Sequence, residues 1–150
     1  MSAQPPFSPP ASQAKTFSQV LGEATWLLSQ SPAHRHLFIA DLEWLVMPPL
    51  LLEQFRLFQG PDGRPAALAL WAHLTPESVT RLEAGSGRLQ PQDWNAGSEP
   101  WLVELIAPFG GDAEALADCH RTVFNSGPFR FHKQTAAGRQ AFTYPAADAH

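Results

Sequence analysis

Apolar residues recur at helical spacing in the first third of the chain. Between residues 17 and 30 they fall on one face of a helix, at Val20, Leu21, Ala24, Leu27 and Leu28. A Ser-Pro pair at residues 31–32 ends this predicted helix. Residues 37–54 are again mostly apolar but contain Pro48 and Pro49, which predicts a second helix that is broken or kinked at the prolines.

The middle of the chain has the pattern of a β-hairpin. Residues 55–58 and 66–72 flank the sequence GPDGRP, whose composition is typical of a turn between two strands. Thr75 can then cap a short helix over residues 76–82, which begins with a proline. Residues 84–100 are rich in Gly, Ser, Pro and Asn and predict a surface loop.

Residues 101–107 form an apolar run that is typical of an interior strand, yet the run contains Glu104. A buried carboxylate is costly unless it is paired or has a function. A proline ends the run, and Gly110 and Gly111 allow a tight turn that brings Asp112 to a helix start. This order of elements is a common way to hold a phosphate or a thioester carbonyl, but an ordinary turn after a buried strand has the same pattern.

The rest of the chain completes an α+β pattern. Residues 112–124 predict a helix with an apolar stripe, and His120 falls in that stripe, where we expect a core histidine with a satisfied ring. Residues 129–133 alternate between apolar and polar side chains and, with residues 141–144, predict a terminal hairpin. The order of elements favours a mixed central β-sheet flanked by helices.

Composition narrows the classes of function. A chain of 150 residues that is 44% hydrophobic can bury a real core, so we expect one domain over residues 17–150. Residues 1–16 are proline-rich, unlike a signal peptide, and are expected to be a disordered tail. The net charge of −4 and the absence of a basic stripe argue against nucleic acid as a partner. No apolar run reaches the roughly 20 residues that span a membrane.

Cysteine and histidine usage gives no metal site. Cys119 is the single cysteine, which excludes an internal disulfide and fits a reducing cytoplasm. We expect it to be a small buried hydrophobe. His34 and His36 are separated by one residue, but no third ligand accompanies them, so metal binding is not predicted.

Five segments carry a family resemblance. They are LGEATWLLSQSPAHR at 21–35, the proline-containing segment near 45–50, ALWAHLT at 69–75, QDWNAGSEPW at 92–101 and WLVELIAPFGG at 101–111. Together they resemble the toxin-activating lysine acyltransferases, the hemolysin-activating C-protein family of RTX toxin operons. The resemblance implies a fold like that of the GNAT acyltransferase superfamily. It also implies transfer of a fatty acyl chain from the thioester of acyl-carrier protein to the ε-amine of an internal lysine of a protoxin.

The resemblance also implies the site residues. The family relies on the histidine of SPxHR, which is His34 here, and on an Asp four residues before the proline of APFG, where this chain has Glu104. The serine of SPxHR, Ser31, matters in the family as well. Many relatives carry basic residues where this chain has Ser-Glu-Pro at residues 98–100, so the docking of an acidic carrier protein needs another explanation.

Elementary chemistry assigns roles to these residues. The pKa of a lysine amine is about 10.4, so at neutral pH the nucleophilic form is roughly 4.6 kcal/mol less stable than the ammonium. We assign His34 as the general base and Glu104 as its orienting partner or as a second base. An acyl-histidine intermediate is the covalent alternative.

The turn after the strand is the predicted donor site. The backbone N–H of Ile106 or Ala107 can polarise the thioester carbonyl, while Gly110 and Gly111 allow the pantetheine arm to approach the backbone. Three aromatic residues are candidates to accept the acyl chain: Trp26, Trp44 and Phe109. No bound cofactor is predicted beyond the acyl-carrier-protein co-substrate.

Two other functions are also considered, and the chain is a candidate to form a homodimer. One alternative is fatty acylation of a lysine or ornithine in a small peptide, which suits a compact chain. The other is a degenerate acyltransferase that acts as a binding module.

Overall fold

The computed structural model describes residues 7, 15–84 and 88–146, so nearly all of the predicted tail over residues 1–16 lies outside the described residues. The helices are Phe17–Gln30 (α1), Leu42–Leu45 (α2), Met47–Leu51 (α3), Pro76–Glu83 (α4) and Asp112–Thr122 (α5), with 3-10 turns at Ile39–Asp41 and Pro91–Asp93. The strands are Phe55–Gln59 (β1), Pro65–Leu74 (β2), Glu99–Ile106 (β3), Phe129–Thr135 (β4) and Gly138–Tyr144 (β5). The predicted α+β class is confirmed.

The five strands form one mixed sheet in the order in which they occur along the chain. Neighbouring strands are antiparallel except β3 and β4, which are parallel and are connected through α5. The parallel pair is short, because only Trp101 and Leu102 of β3 pair with Arg130 and Phe131 of β4. Beyond these two positions the strands separate, and this opening is where the site described below lies.

The limits of helices and strands that were predicted from the sequence are largely confirmed. The Thr16 side chain caps α1 in a reciprocal capping box with Gln19, and Thr75 caps α4 by accepting from the Ser78 N–H. The segment with the two prolines is broken into short helices, as predicted, but the break lies at Val46, and both prolines fall in the first turn of α3. The loop predicted over residues 84–100 ends earlier than expected, because β3 begins at Glu99, opposite Leu74 of β2.

Two apolar cores cover the two faces of the sheet. The α1 face buries Trp94 and Trp101 completely, together with leucines of α1 and β2. The α5 face packs Cys119 and Ala115 against Phe129 and Leu102. No helix of the described segments is long and apolar enough to cross a membrane.

His120 occupies its expected stripe, but its ring is not satisfied. The ring is half-buried, with centroids 5.3 Å from Tyr144 and 6.5 Å from Phe129. Its Nε2 atom is buried and has no hydrogen-bond partner among the described residues. The prediction of a satisfied core histidine is therefore wrong in this respect, because Phe129 and Tyr144 pack against the ring without accepting a hydrogen bond from Nε2.

Gly97 lies where the backbone of β2 leaves no room for a side chain. Its N–H donates to the His73 carbonyl, and a Cβ at this position would lie 2.2 Å from the Leu74 carbonyl oxygen. We expect Gly97→Ala to lower the free energy of unfolding by about 1–3 kcal/mol, measured by urea denaturation. As a control, Gly22→Ala lies in α1 with open space around it and should raise stability by roughly 0.5–1 kcal/mol. Equal stability of Gly97→Ala and the unmodified chain would contradict the close packing.

The Cys119 thiol should be inert in the folded protein. Burial, and secondarily the negative charge of Asp118, raises the pKa of the Cys119 thiol to about 12. We expect no alkylation by iodoacetamide near pH 9 until denaturant is added, as followed by mass spectrometry. Because the folded pKa exceeds the unfolded value of 9.0, this group stabilises the fold fully below that pH, and its contribution is lost as pH rises further. Rapid alkylation without denaturant would contradict this burial.

Candidate active site

The turn after α1 is held by the backbone of Ser31. Its N–H donates to the Leu28 carbonyl at 3.2 Å, and its carbonyl accepts from the N–H groups of His34 and Arg35, each at 2.9 Å. Three bonds therefore fix the path of the chain immediately beyond the helix end. This fixes where the His34 side chain starts.

Both nitrogens of the His34 ring are hydrogen-bonded. Nδ1 lies 2.7 Å from Ser31 Oγ, and Nε2 lies 2.9 Å from Glu104 Oε1, although Glu104 is 70 residues away along the chain. The side chains of His34 and Glu104 are 15% and 22% exposed, so their interaction is only partly screened by solvent. The carboxylate in the apolar strand is thus paired, and the distance joins the two residues that the sequence singled out.

A β-bulge directs Glu104 toward the histidine. Glu104 lies opposite Leu70, and Leu102 lies opposite Trp71, so Val103 is an extra residue in β3. Side chains of a regular strand alternate between faces, and Trp101 belongs to the core on the α1 face. Without the bulge, alternation would send Glu104 to the α5 face. With the bulge it shares the face of Leu70, on which α1 packs.

The hydrogen bonds define the state of the neutral ring. An ionised carboxylate only accepts, so Nε2 carries the proton and donates to Glu104. Nδ1 then holds the lone pair and accepts from the Ser31 hydroxyl. The basic nitrogen of His34 is therefore the one that faces Ser31, and an imidazolium formed there is stabilised by Glu104 behind it.

A cavity of about 800 Å³ adjoins this arrangement at the opening between β3 and β4. It is lined by the turn after α1, by α2, by the two separating strands, by α5 and by β5. Its lining residues are Ser31, Pro32, Ala33, His34, Leu37, Trp44, Leu45, Leu102, Val103, Glu104, Leu105, Ala107, Pro108, Asp112, Leu116, Phe131, His132, Lys133 and Arg139. Because residues from both faces of the sheet take part, the cavity connects the α1 face with the α5 face.

The other sequence-predicted residues divide into two groups. Ala107 and Trp44 line the cavity. Ile106 pairs with Leu68 and is fully buried in the core, and Phe109 lies outside, 58% exposed. The aromatic ring of Trp26 is 5.7 Å from that of Phe109, so this pair forms a separate surface feature.

Gly110 and Gly111 shape the turn and do not line the cavity. Both adopt positive φ angles, 94° and 91°, which favour glycine. Gly111 is the N-cap residue of α5, so the pair directs the chain from β3 into the helix. Pantetheine contact at these two residues stays a prediction.

The sequence did not indicate the residues that the terminal hairpin contributes to the cavity. His132, Lys133 and Arg139 line it from β4 and β5. Burial, and then the positive charge of Arg139, lowers the pKa of His132, so this ring is neutral at pH 7. Its Nδ1 atom is buried without a described partner. The parallel pairing of β4 with β3 would have indicated these residues, but the sequence does not give the strand order.

No metal centre is formed by the described residues, in which no group of three or more His, Cys, Asp or Glu side chains is arranged to hold an ion. His36 is exposed, whereas His34 is engaged with Ser31 and Glu104. The two histidines of this segment therefore do not act as a pair.

Known proteins are similar to this chain over most of the described region. The lysine acyltransferase RtxC of Vibrio cholerae is 35% identical over 108 residues, which cover 71% of this chain and 69% of that protein. The RTX-II toxin-activating lysine acyltransferase ApxIIC of Actinobacillus pleuropneumoniae is 41% identical, covering 61% of this chain and 56% of the relative. The protein-lysine myristoyltransferase HlyC of Escherichia coli is 32% identical, covering 75% and 65%.

The similar segment thus spans between just over half and about two thirds of these relatives' length. The model of the RTX toxin acyltransferase family matches residues 13–143, which include α1, the whole sheet apart from the last residue of β5, and both halves of the site. The resemblance seen in SPAHR and ELIAPFGG is confirmed, and the chain belongs to the RTX toxin acyltransferase family.

Proposed function

We propose that this protein transfers a fatty acyl chain from acyl-carrier protein to the ε-amine of a lysine in a protoxin-type protein. The hydrogen bond between His34 and Glu104, at the wall of a large cavity, is the observation that carries the proposal. Support comes from the relatives, whose names describe lysine acyltransferases and, for two of those cited above, toxin activation or myristoyl transfer. The GNAT-like fold remains part of the proposal, supported by the mixed sheet and its flanking helices.

His34 is the proposed general base. Nδ1 is the nitrogen with the lone pair, and the Ser31 hydroxyl lies between it and any proton delivered from that side. The lysine ammonium passes one proton to Ser31 Oγ as the serine proton moves to Nδ1, and Glu104 stabilises the resulting imidazolium. This route gives Ser31 the role of a relay.

Acyl transfer then follows from the position of the cavity. The neutral amine attacks the thioester carbonyl, an N–C bond forms, and the C–S bond breaks as the imidazolium gives its proton to the departing thiolate. The neutral ring of His34 then takes the second proton from the new amide nitrogen and passes it to solvent. Ala107 lines the cavity just beyond β3 and is the proposed backbone donor to the carbonyl oxygen. The apolar lining from Leu37, Leu45 and Trp44 suits the acyl chain.

The paired site favours an enzyme over a degenerate binding module, because Glu104 still reaches the histidine despite replacing the family Asp. A protein that has lost catalysis has no need to keep a partly buried charge paired across 70 residues. The homodimer and the cytoplasmic location remain predictions.

Removing either member of the pair should abolish most of the activity. We expect His34→Ala and Glu104→Gln to lower kcat by on the order of 10²–10⁴-fold, since proton transfer then lacks its acceptor or its stabilising charge. The measurement is mass spectrometry of acyl-lysine formed on the co-purified protoxin with acyl-carrier protein as donor. His36→Ala is the matched control, because this exposed histidine is two residues away and should leave the rate unchanged. Full activity of both site variants would refute the enzymatic role.

Glu104→Asp tests whether this chain depends on the longer side chain. The carboxylate would retract by one methylene from a contact of 2.9 Å, and misplacement of about 1 Å at a reacting group can cost 10²-fold. We expect a loss of roughly that size in kcat with little change in stability, measured by the same assay and by thermal unfolding. Activity equal to that of the unmodified protein would show that the distance between carboxylate and ring is not limiting.

A further inference from the structure

The cations of this chain are paired with carboxylates almost throughout. All described lysines and arginines form ion pairs except Arg35, Lys133 and Arg139, for which the described residues contain no hydrogen-bond or carboxylate partner. In a chain with a net charge of −4, unpaired cations are conspicuous. Two of the three, Lys133 and Arg139, line the cavity.

The hairpin places these two charges around the opening between β3 and β4. Lys133 pairs with Gln140, and Arg139 pairs with Gln134, one step farther toward the tip. Because opposite residues share a face and neighbouring positions alternate, Lys133 and Arg139 extend from opposite faces of the hairpin. Both are exposed and both line the same cavity, so an anion in the opening lies between the two positive charges.

The opposite wall of the cavity carries the negative charge. Glu104 and Asp112 line it from β3 and from the start of α5. The positive charge of Arg139 acts within the cavity, since it contributes to the lowered pKa of His132. A lysine ammonium is attracted to the acidic wall, and an anion is attracted to the hairpin.

We propose that Lys133 and Arg139 form an anion-binding rim that holds the phosphate of the donor's phosphopantetheine arm as the arm enters between β3 and β4. The inference rests on the proposed acyl transfer from a carrier protein. The phosphopantetheine arm of such a carrier has one phosphate, which lies at the end of the arm that is attached to the carrier. The rim supplies the positive charge that residues 98–100 lack. The phosphate stays at the surface, and the thioester end of the arm reaches inward to His34.

Equilibrium binding tests the rim without requiring catalysis. Calorimetric titration of the full chain with 4′-phosphopantetheine and with pantetheine should show roughly tenfold tighter binding of the phosphorylated form, as expected for two exposed charge contacts. Lys133→Gln combined with Arg139→Gln should remove this difference and leave pantetheine binding unchanged. High salt should reduce the difference in the unmodified chain.

The control variant removes two positive charges outside the cavity. Arg64→Gln combined with Arg121→Gln replaces two exposed arginines outside the cavity and should keep the preference for phosphate. Equal affinities of the two compounds for the unmodified chain would overturn the rim, as would equal losses in both double variants. The rim would also be overturned if the Lys133–Arg139 double variant lost only the binding of carrier protein, because the two cations would then contact the carrier surface. Phosphate preference without acyl transfer would leave the rim standing and refute the proposed function instead.

Discussion

The register of one strand, β3, determines whether the candidate active site can form. The extra residue Val103 turns Glu104 to the face of the sheet on which α1 packs, and there the carboxylate meets the His34 ring. The ladder between β3 and β4 stops at Leu102, the residue just before the bulge, so one irregularity coincides with both the orientation of the carboxylate and the opening of the cavity. The contact between His34 and Glu104 depends on this change of register.

Local patterns predicted the elements well because their boundaries are encoded in neighbouring residues. Thr16 and Ser31 mark the two ends of α1, and Thr75 marks the start of α4. The bulge was not predictable, because residues 101–106 are apolar on both faces and leave Glu104 as the only polar marker. Pairing of Glu104 with His34 came from the family resemblance, since 70 intervening residues leave no local signal.

The contribution of the terminal hairpin could not be derived from the sequence for a different reason. A parallel pair requires a crossover connection, and nothing in residues 129–135 states which earlier strand they lie beside. His132 therefore has the pattern of an ordinary member of an alternating strand, and Arg139 falls between the two predicted strands. Once β4 lies next to β3, they face the cavity, and the molecule gains an anion-attracting side and a cation-attracting side within one opening.

Ser31 joins two tasks in one residue. Its backbone closes the end of α1 and the following turn, and its hydroxyl contacts the ring of His34. Helix ends are among the first parts of a protein to fray, with opening free energies well below that of global unfolding. The position of the imidazole thus depends on the closure of this helix end as well as on the strand that carries Glu104. Loosening the end of α1 would displace the imidazole even where the sheet stays intact, so the order of the ring is not set by the stability of the sheet alone.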